Sequence, residues 1–405
     1  MQYDLRQAEK SLEKEFDYIN EIRDFNQKKV LQAFIDNRVA PEHFYTVSGY
    51  GHDDVGKEIL DNVFAQVFKA EAAIVRNHFV SGTHALSCVL FGNLRHGDKL
   101  VSVAGAPYDT MQEVIGCAGG AKRESLMGHG VLYDEVPLTA NQEVDFDLLE
   151  KKIDKSVTMV EIQRSRGYST RKSLNIATIE KICKIVKSKN PDCICFVDNC
   201  YGEFVEKQEP LEVGADIIAG SLIKNPGGGI VETGGYIAGK KEYVEQAAMS
   251  LTAPGIGREG GAMLNQLRLI FQGLFMAPSI VSDCVKGAVL AAKVFEDIGY
   301  KSTPRHDEPR TDIIQTIIFD KPEPLEHFCK TIQSLSPINS YVTPIPDDIP
   351  GYEDKVIMAG GSFIEGSTVE LSADGPLRPP YAAYMQGGLN YAHIKLALEG
   401  ILEGI

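Results

Sequence analysis

The chain has no basic excess: its 405 residues carry 41 Lys and Arg against 56 Asp and Glu, a formal net charge of −15. Such a surface repels phosphate backbones, and no basic stripe with interleaved aromatics interrupts it, so nucleic acid is not an expected partner. A small anionic ligand is not excluded, because a few donors at helix starts outweigh a diffuse field screened over about 10 Å. No stretch approaches the ~20 uninterrupted apolar residues of a membrane span. With 43% hydrophobic and 24% charged residues, the composition is that of an ordinary soluble protein. The N-terminal "MQYDLRQAEKSLEKEFDYINEIRDFNQKKV" lacks the apolar core and small-residue cleavage site of a secretory signal, which points to the cytoplasm. Eight cysteines follow no framework, and Cys193, Cys195 and Cys200 crowd one apolar run, so disulfides are not expected. Neither G-x-x-x-x-G-K-[ST] nor a G-x-G-x-x-G after a first strand is present, which argues against a nucleotide binder.

What is there is an alternation. Apolar positions at helical spacing run from Leu5 to about Asn37, and a second helix begins near Asp54. From Ser81 onward, the strand-like runs "KLVSVA", "TMVEIQ", "CICFVDN", "ADIIAGSL" and "GGYIAG" are separated by helical stretches such as "IATIEKICKIVKSKN". This implies crossover connections and a three-layer α/β/α domain with a mainly parallel sheet, whose ligands gather at the carboxyl ends of its strands. A long helix from about Pro278 to Ile298 leads into a smaller α+β C-terminal domain, ending in a helix from about Tyr384. The expected division is residues 1–50 as an N-terminal helical segment, 51–299 as the large domain and 300–405 as the small one. There is no fixed-period repeat and no low-complexity tract.

In "ADIIAGSLIKNPGGG" a lysine, Lys224, stands at the rim of an apolar strand with glycines beside it. The preceding strand, "CICFVDN", ends in Asp198. An acid that keeps a heterocyclic nitrogen protonated and a lysine that forms a Schiff base are the two groups pyridoxal phosphate most requires of a protein. Desolvation and a neighbouring cation would favour the neutral amine of Lys224, the form that attacks an aldehyde. For the phosphate, "SGTHAL" (Ser81 to Leu86) offers Ser81, the amides of Gly82 and Thr83 and the Thr83 hydroxyl as cofactor-binding groups at a helix start, with Ser221 as a further donor. A simple N-cap is the structural alternative. Tyr108, in a proline turn after "KLVSVAG", can lie on the ring face, or can equally be a core or interface tyrosine. His78 and His84 flank the phosphate turn, and Cys193 and Cys195 read as facing opposite sides of one strand, so no metal is expected. His84 either bonds near the cofactor or is satisfied locally.

These features in this order resemble pyridoxal-phosphate enzymes of the aspartate aminotransferase fold. "DNCYGEFVEKQEPLEVGADIIAGSLIKNPGGG" is similar to the methionine gamma-lyase and cystathionine lyase group. "SGTHAL", "VEIQRSRGY", "SLIKNPGGGIVETGGYIAG" and "ADGPLRPPY" are similar to the methionine gamma-lyase-like or aluminium resistance protein family, over almost the whole chain. The resemblance implies that Lys224 is the Schiff-base lysine and Asp198 the ring-nitrogen partner. It also implies that Gly82, Thr83 and Ser221 contact phosphate, that Tyr108 stacks on the ring and assists elimination, and that Arg378 grips the substrate carboxylate. For Arg378 an ion pair with Asp374 or Glu370 is the structural alternative. Two departures stand out. "SGYGHDDVG" offers Tyr50 as a contact to the neighbouring subunit but has His52, Asp53 and Asp54 where an arginine is sought. "VEIQRSRGYSTR" replaces the group's E-S-P-x-N-P turn, leaving Gln163 or Arg166 as partner of the cofactor's phenolate oxygen. The resemblance implies a homodimer or homotetramer and a lyase that breaks a carbon–sulfur bond by beta- or gamma-elimination. Transamination, desulfuration and a catalytically silent oligomer are the alternatives; no role in metal tolerance is explained by these residues.

Overall fold

The structure, a computed structural model, describes residues 3–167, 169, 171–348 and 354–404. Its first sheet has seven strands: β1 (Ala72–Arg76), β2 (Lys99–Ser102), β3 (Leu132–Glu135), β4 (Val157–Gln163), β5 (Ile194–Asp198), β6 (Ile217–Ser221) and β7 (Gly235–Gly239). Their order across the sheet is β1-β7-β6-β5-β4-β2-β3, with every pair parallel except those made by β7. The helices are α1 (Leu5–Ser11), α2 (Glu13–Asp36), α3 (Val55–Phe68), α4 (Gly82–Asn93), α5 (Asp109–Ile115), α6 (Phe146–Lys152), α7 (Ile176–Lys189), α8 (Lys241–Leu251) and α9 (Gln266–Asp297). Side-chain oxygens of Asp4, Asp54, Ser81, Asp145 and Asn175 cap five of them by accepting amides of the first turn.

The two-residue period of a strand divides the core. On β5, Ile194 and Phe196 join one apolar cluster with α4 and α8, while Cys195 and Val197 join another with α3, α7 and α9. The sheet is therefore covered on both faces, the three-layer arrangement that the alternation implies. Cys193 and Cys195, two residues apart, share the second cluster. Their assignment to opposite faces is corrected: that spacing returns a side chain to the same side. All eight cysteines are free thiols.

Helix α9 starts twelve residues before Pro278, which lies inside it rather than at its head. It is long and apolar enough to cross a membrane by length and composition, which corrects the expectation that no stretch approaches a span. However, 67% of its most apolar window is buried within the fold. It joins the first sheet to the second, in which β8 (Lys301–Thr303), β9 (Ile314–Ile318), β10 (Val356–Gly360), β11 (Ser372–Pro376) and β12 (Ala382–Gln386) are ordered β10-β11-β12-β9-β8, all antiparallel. Helix α10 (Pro322–Ser334) packs on β10 and β11. The last helix, α11, spans Tyr391–Leu402; Tyr384, expected to open it, lies on β12, because Gly387 and Gly388 separate the two elements.

One buried ion cluster ties three segments together. Asp61 of α3 is 1% exposed and accepts from Arg76 Nη1 at 2.7 Å, Arg76 Nη2 at 2.9 Å, the Val75 amide at 2.9 Å and Arg258 Nη2 at 3.1 Å. Asp61→Ala leaves two guanidinium groups with no carboxylate at that point. It is expected to lower unfolding stability by about 3–5 kcal/mol, read from the urea midpoint of the variant.

Candidate active site

The carboxyl ends of β4, β5 and β6 bring Gln163, Asp198 and Ser221 to one edge, and Lys224 follows β6 after two residues. Lys224 Nζ lies 3.8 Å from the centroid of the Tyr201 ring. The loop after Lys224 turns so tightly that only glycine fits: a Cβ on Gly227 would lie 1.7 Å from Leu222 O and one on Gly228 2.4 Å from Gly273 O of α9. The glycines of "NPGGG" thus press the lysine's loop onto α9.

Asp198 is 5% exposed, and its Oδ1 accepts from the Cys200 amide at 3.1 Å. Burial pushes its carboxyl upward, against the Cys200 amide and Lys224, which favour the anion. Two rows down β4, the Glu161 carboxyl is pushed up to about 7, first by burial and then by Asp198, while Ser102 Oγ donates to it at 3.0 Å. The expected depression of Lys224 is corrected. Burial pushes its amine down, but the acidic groups packed around it, Tyr201, Cys200, Asp198 and Tyr108, outweigh that and carry the net shift upward. The groups that set this shift are acids, not a second cation.

The start of α4 closes the other side. Ser81 Oγ accepts from the His84 amide at 3.1 Å, so the N-cap reading holds for Ser81, which is exposed. Gly82 and Thr83 then head the helix with amides that have no helical acceptor. A Cβ on Gly82 would meet Ser221 Cβ at 3.1 Å and Cys200 Sγ at 3.6 Å, so β6 and the β5 turn crowd against the helix start. Ser221 is 1% exposed and its hydroxyl has no hydrogen-bond partner among the described residues. A buried hydroxyl without an acceptor is destabilising by about 1–3 kcal/mol. An anion seated on the Gly82 and Thr83 amides would supply that acceptor.

Thr83 Oγ1 and Tyr108 Oη are 3.0 Å apart, and the Tyr108 amide donates to Gln163 Oε1 at 2.8 Å. Tyr108 is thereby tied to both the helix start and β4. Burial, then Asp198 and Cys200, push its phenol upward, so it keeps its proton at neutral pH. Of the two candidates for the phenolate oxygen, Gln163 sits in register with Asp198. Arg166 instead donates to Thr303 O at 3.0 Å and Thr316 Oγ1 at 3.4 Å, toward the second sheet. Within that motif, Tyr168 and Thr170 lie outside the described residues. His84 is satisfied locally: its Nδ1 accepts from the Val80 amide at 3.2 Å and its ring meets Phe79 edge-on. No group of three or more His, Cys, Asp or Glu that could hold a metal occurs among the described residues.

Two expected members are exposed. Arg378 is exposed on the turn between β11 and β12 and pairs with Asp354 at 3.3 Å. Glu370, one of its two expected partners, accepts the amides of Phe363 and Ile364 instead. Tyr50 is 82% exposed, with its ring 5.7 Å from that of His52. Tyr201 was not anticipated. It holds a left-handed φ of 68° while buried, a strained conformation for a tyrosine, and that strain aims its ring at Lys224. Its signal in the sequence is an aromatic residue three positions past the strand-ending carboxylate in "DNCY".

A family model described as methionine gamma-lyase matches residues 1–405. Among solved structures, a Listeria monocytogenes protein described as a candidate cystathionine beta-lyase involved in aluminium resistance superposes with a TM-score of 0.97 at 49% identity, covering 98% of both chains. A carbon–sulfur lyase involved in aluminium resistance from Clostridium novyi gives 0.95 at 47% identity, over 99% of this chain and 94% of that one. An uncharacterised protein of Bacillus subtilis is 49% identical over 387 residues, 96% of this chain and 92% of its own length.

Proposed function

Because the chain belongs to the methionine gamma-lyase family, we propose that it is a pyridoxal-phosphate-dependent lyase that breaks the carbon–sulfur bond of a sulfur-containing amino acid. The single observation that carries this reading is the buried Ser221 hydroxyl at the end of β6, without a hydrogen-bond partner among the described residues, packed against the start of α4 and on the same rim as Lys224 and Asp198. The descriptions of the Listeria and Clostridium relatives support the reaction class.

The residues divide the work as follows. The Gly82 and Thr83 amides and the Thr83 and Ser221 hydroxyls hold the phosphate. Asp198 would hold the ring nitrogen, Tyr108 would pack on the ring, Gln163 would serve the phenolate oxygen, and Lys224 would be the point of covalent attachment. When bound, the cofactor withdraws electrons from the substrate's alpha carbon, which makes the alpha proton removable and the carbon–sulfur bond labile. Once the substrate's own amine has displaced it, Lys224 Nζ is free to take that proton, and for a gamma substituent, after passing the first proton on, it would take a second one from the beta carbon. The Tyr108 phenol, kept protonated, donates to the departing sulfur. Arg378 receives the substrate carboxylate by leaving Asp354. An exposed pair of that kind is worth about 1 kcal/mol or less, so little opposes the exchange. Residues 1–50 and Tyr50 form the contact to a second subunit in a cytoplasmic homodimer or homotetramer.

The test is a product assay on cysteine, cystathionine and methionine. A lyase releases 2-oxo acid and ammonia without an added keto acid acceptor. Pyruvate with homocysteine from cystathionine marks beta-elimination, and 2-oxobutyrate with cysteine marks gamma. Oxo acid that appears only with an acceptor would identify an aminotransferase and overturn the reading. The phosphate assignment has its own test. Ser221→Ala is expected to weaken retention of pyridoxal phosphate roughly tenfold in equilibrium dialysis. The same change should not lower the apoprotein's urea midpoint, because it removes an unsatisfied buried hydroxyl.

A further inference from the structure

Apart from the lysine's cup, a half-open cavity of about 200 Å³ lies between α2, α9 and residues 306–310, which lead into the second sheet. Ile19, Ile22, Val281, Val285 and Val289 line it with hydrocarbon. Two polar side chains in the lining have unmatched groups. Among the described residues, the hydroxyl of Ser282, which is 4% exposed, has no partner, and neither does Nε of Arg310, which is 8% exposed.

The charge left over in this cavity is positive. Arg310 Nη1 donates to Gln315 Oε1 at 2.5 Å and Nη2 to Arg305 O at 3.1 Å, both neutral acceptors. The carboxylates at the rim are engaged by other cations: Asp307 by Arg305 at 3.2 Å and Glu308 by Lys172 at 3.0 Å. Glu15, also at the rim, is only partly buried and has Lys14 beside it. Asp312, Glu296 and Glu308 act on the guanidinium from longer range, yet burial, followed by Arg166, still pushes it down to about 10. A buried guanidinium that bonds only neutral oxygens calls for an anion.

The geometry points to a binding site for a small amphipathic monocarboxylate, its head on Arg310 and Ser282 and its hydrocarbon chain along Ile19, Ile22, Val285 and Val289. Size narrows the class. A 150 Å³ apolar cavity accepts benzene, so this one accepts a ligand of about eight non-hydrogen atoms. A straight-chain C6 carboxylate meets both conditions. Arg310 also stands two residues before Asp312, which accepts from Ser165 Oγ at 2.8 Å on the loop that follows Gln163. The ligand would therefore sit on the same linker that braces the candidate active site.

Isothermal titration of the cofactor-loaded enzyme with hexanoate, 1-hexanol and acetate tests this. Hexanoate is expected to bind saturably at one site per chain with Kd below about 10 mM, and the headless and tailless probes at least roughly tenfold more weakly. Val285→Phe, which fills the cavity with hydrocarbon, should abolish hexanoate binding. Arg310→Gln should weaken it roughly tenfold or more. Should Val285→Phe not fold, as judged by circular dichroism, Ile22→Phe on the facing helix makes the same test. Equal affinity for 1-hexanol, unaltered binding in the filled variant, or no saturable binding of hexanoate each overturns the proposal. None of these outcomes depends on the lyase reading, whose failure would appear only in the product assay.

Discussion

A Lys224→Ala protein mixed with pyridoxal phosphate is expected to lack the visible absorption band that the wild type gains, and to lose lyase activity by at least about 10⁴-fold. The magnitude follows from two roles held by one amine, covalent attachment of the cofactor and removal of the alpha proton. No described neighbour can take over: Tyr201, Tyr108 and Cys200 are acids whose protons burial holds in place. Borohydride reduction of the wild type followed by peptide mapping should tag Lys224 alone. Circular dichroism of the variant separates loss of the amine from loss of the fold, since Lys224 also packs on the Tyr201 ring at 3.8 Å. A tag on another lysine, or a coloured Lys224→Ala protein, would place the chemistry elsewhere.

The parts of this site that are legible in the sequence are those fixed by strand ends. Asp198 closes an apolar run, Ser221 closes the next, and a parallel pair of strands must deliver both to one edge. Three parts were hidden, each for its own reason. Tyr201 reaches Lys224 only because its backbone adopts a left-handed φ, which no pattern of apolar residues encodes. The direction of the Lys224 shift depends on which groups the fold gathers, and Cys200, Tyr201 and Tyr108 come from two separate loops. The extent of α9 escaped because Pro278 reads as a helix start, whereas here the proline is tolerated mid-helix within the packed core. Tyr384 misled for a related reason. It lies within β12, which is buried along its whole length, and the glycine pair behind it marks the boundary better than the apolar pattern of α11.

Asp198→Asn is the sharper test of what the site does once the cofactor is present. Asparagine has the same shape, and its Oδ1 can still accept the Cys200 amide. The charge is lost. A carboxylate in contact with a protonated ring nitrogen is worth about 4 kcal/mol at an effective dielectric of 20, so the ring nitrogen should lose its proton about three pH units earlier. An uncharged ring is a poor electron sink, and turnover is expected to fall roughly 10³-fold, with the cofactor still attached and still coloured. The apoprotein should gain stability, or keep it, above the range where an ordinary carboxylate ionises. There burial holds the Asp198 carboxyl upward and the anion is the disfavoured form, so removing it relieves a penalty that grows as pH rises through the folded-state pKa. Asp198→Glu keeps the charge but adds a methylene at a site that is 5% exposed, and should lose activity through displacement of the ring. A pH profile separates the cases. If Asp198→Asn turns over within about tenfold of the wild type, the carboxylate is not the group that keeps the ring charged, and the assignment of this rim as a pyridoxal phosphate site fails with it.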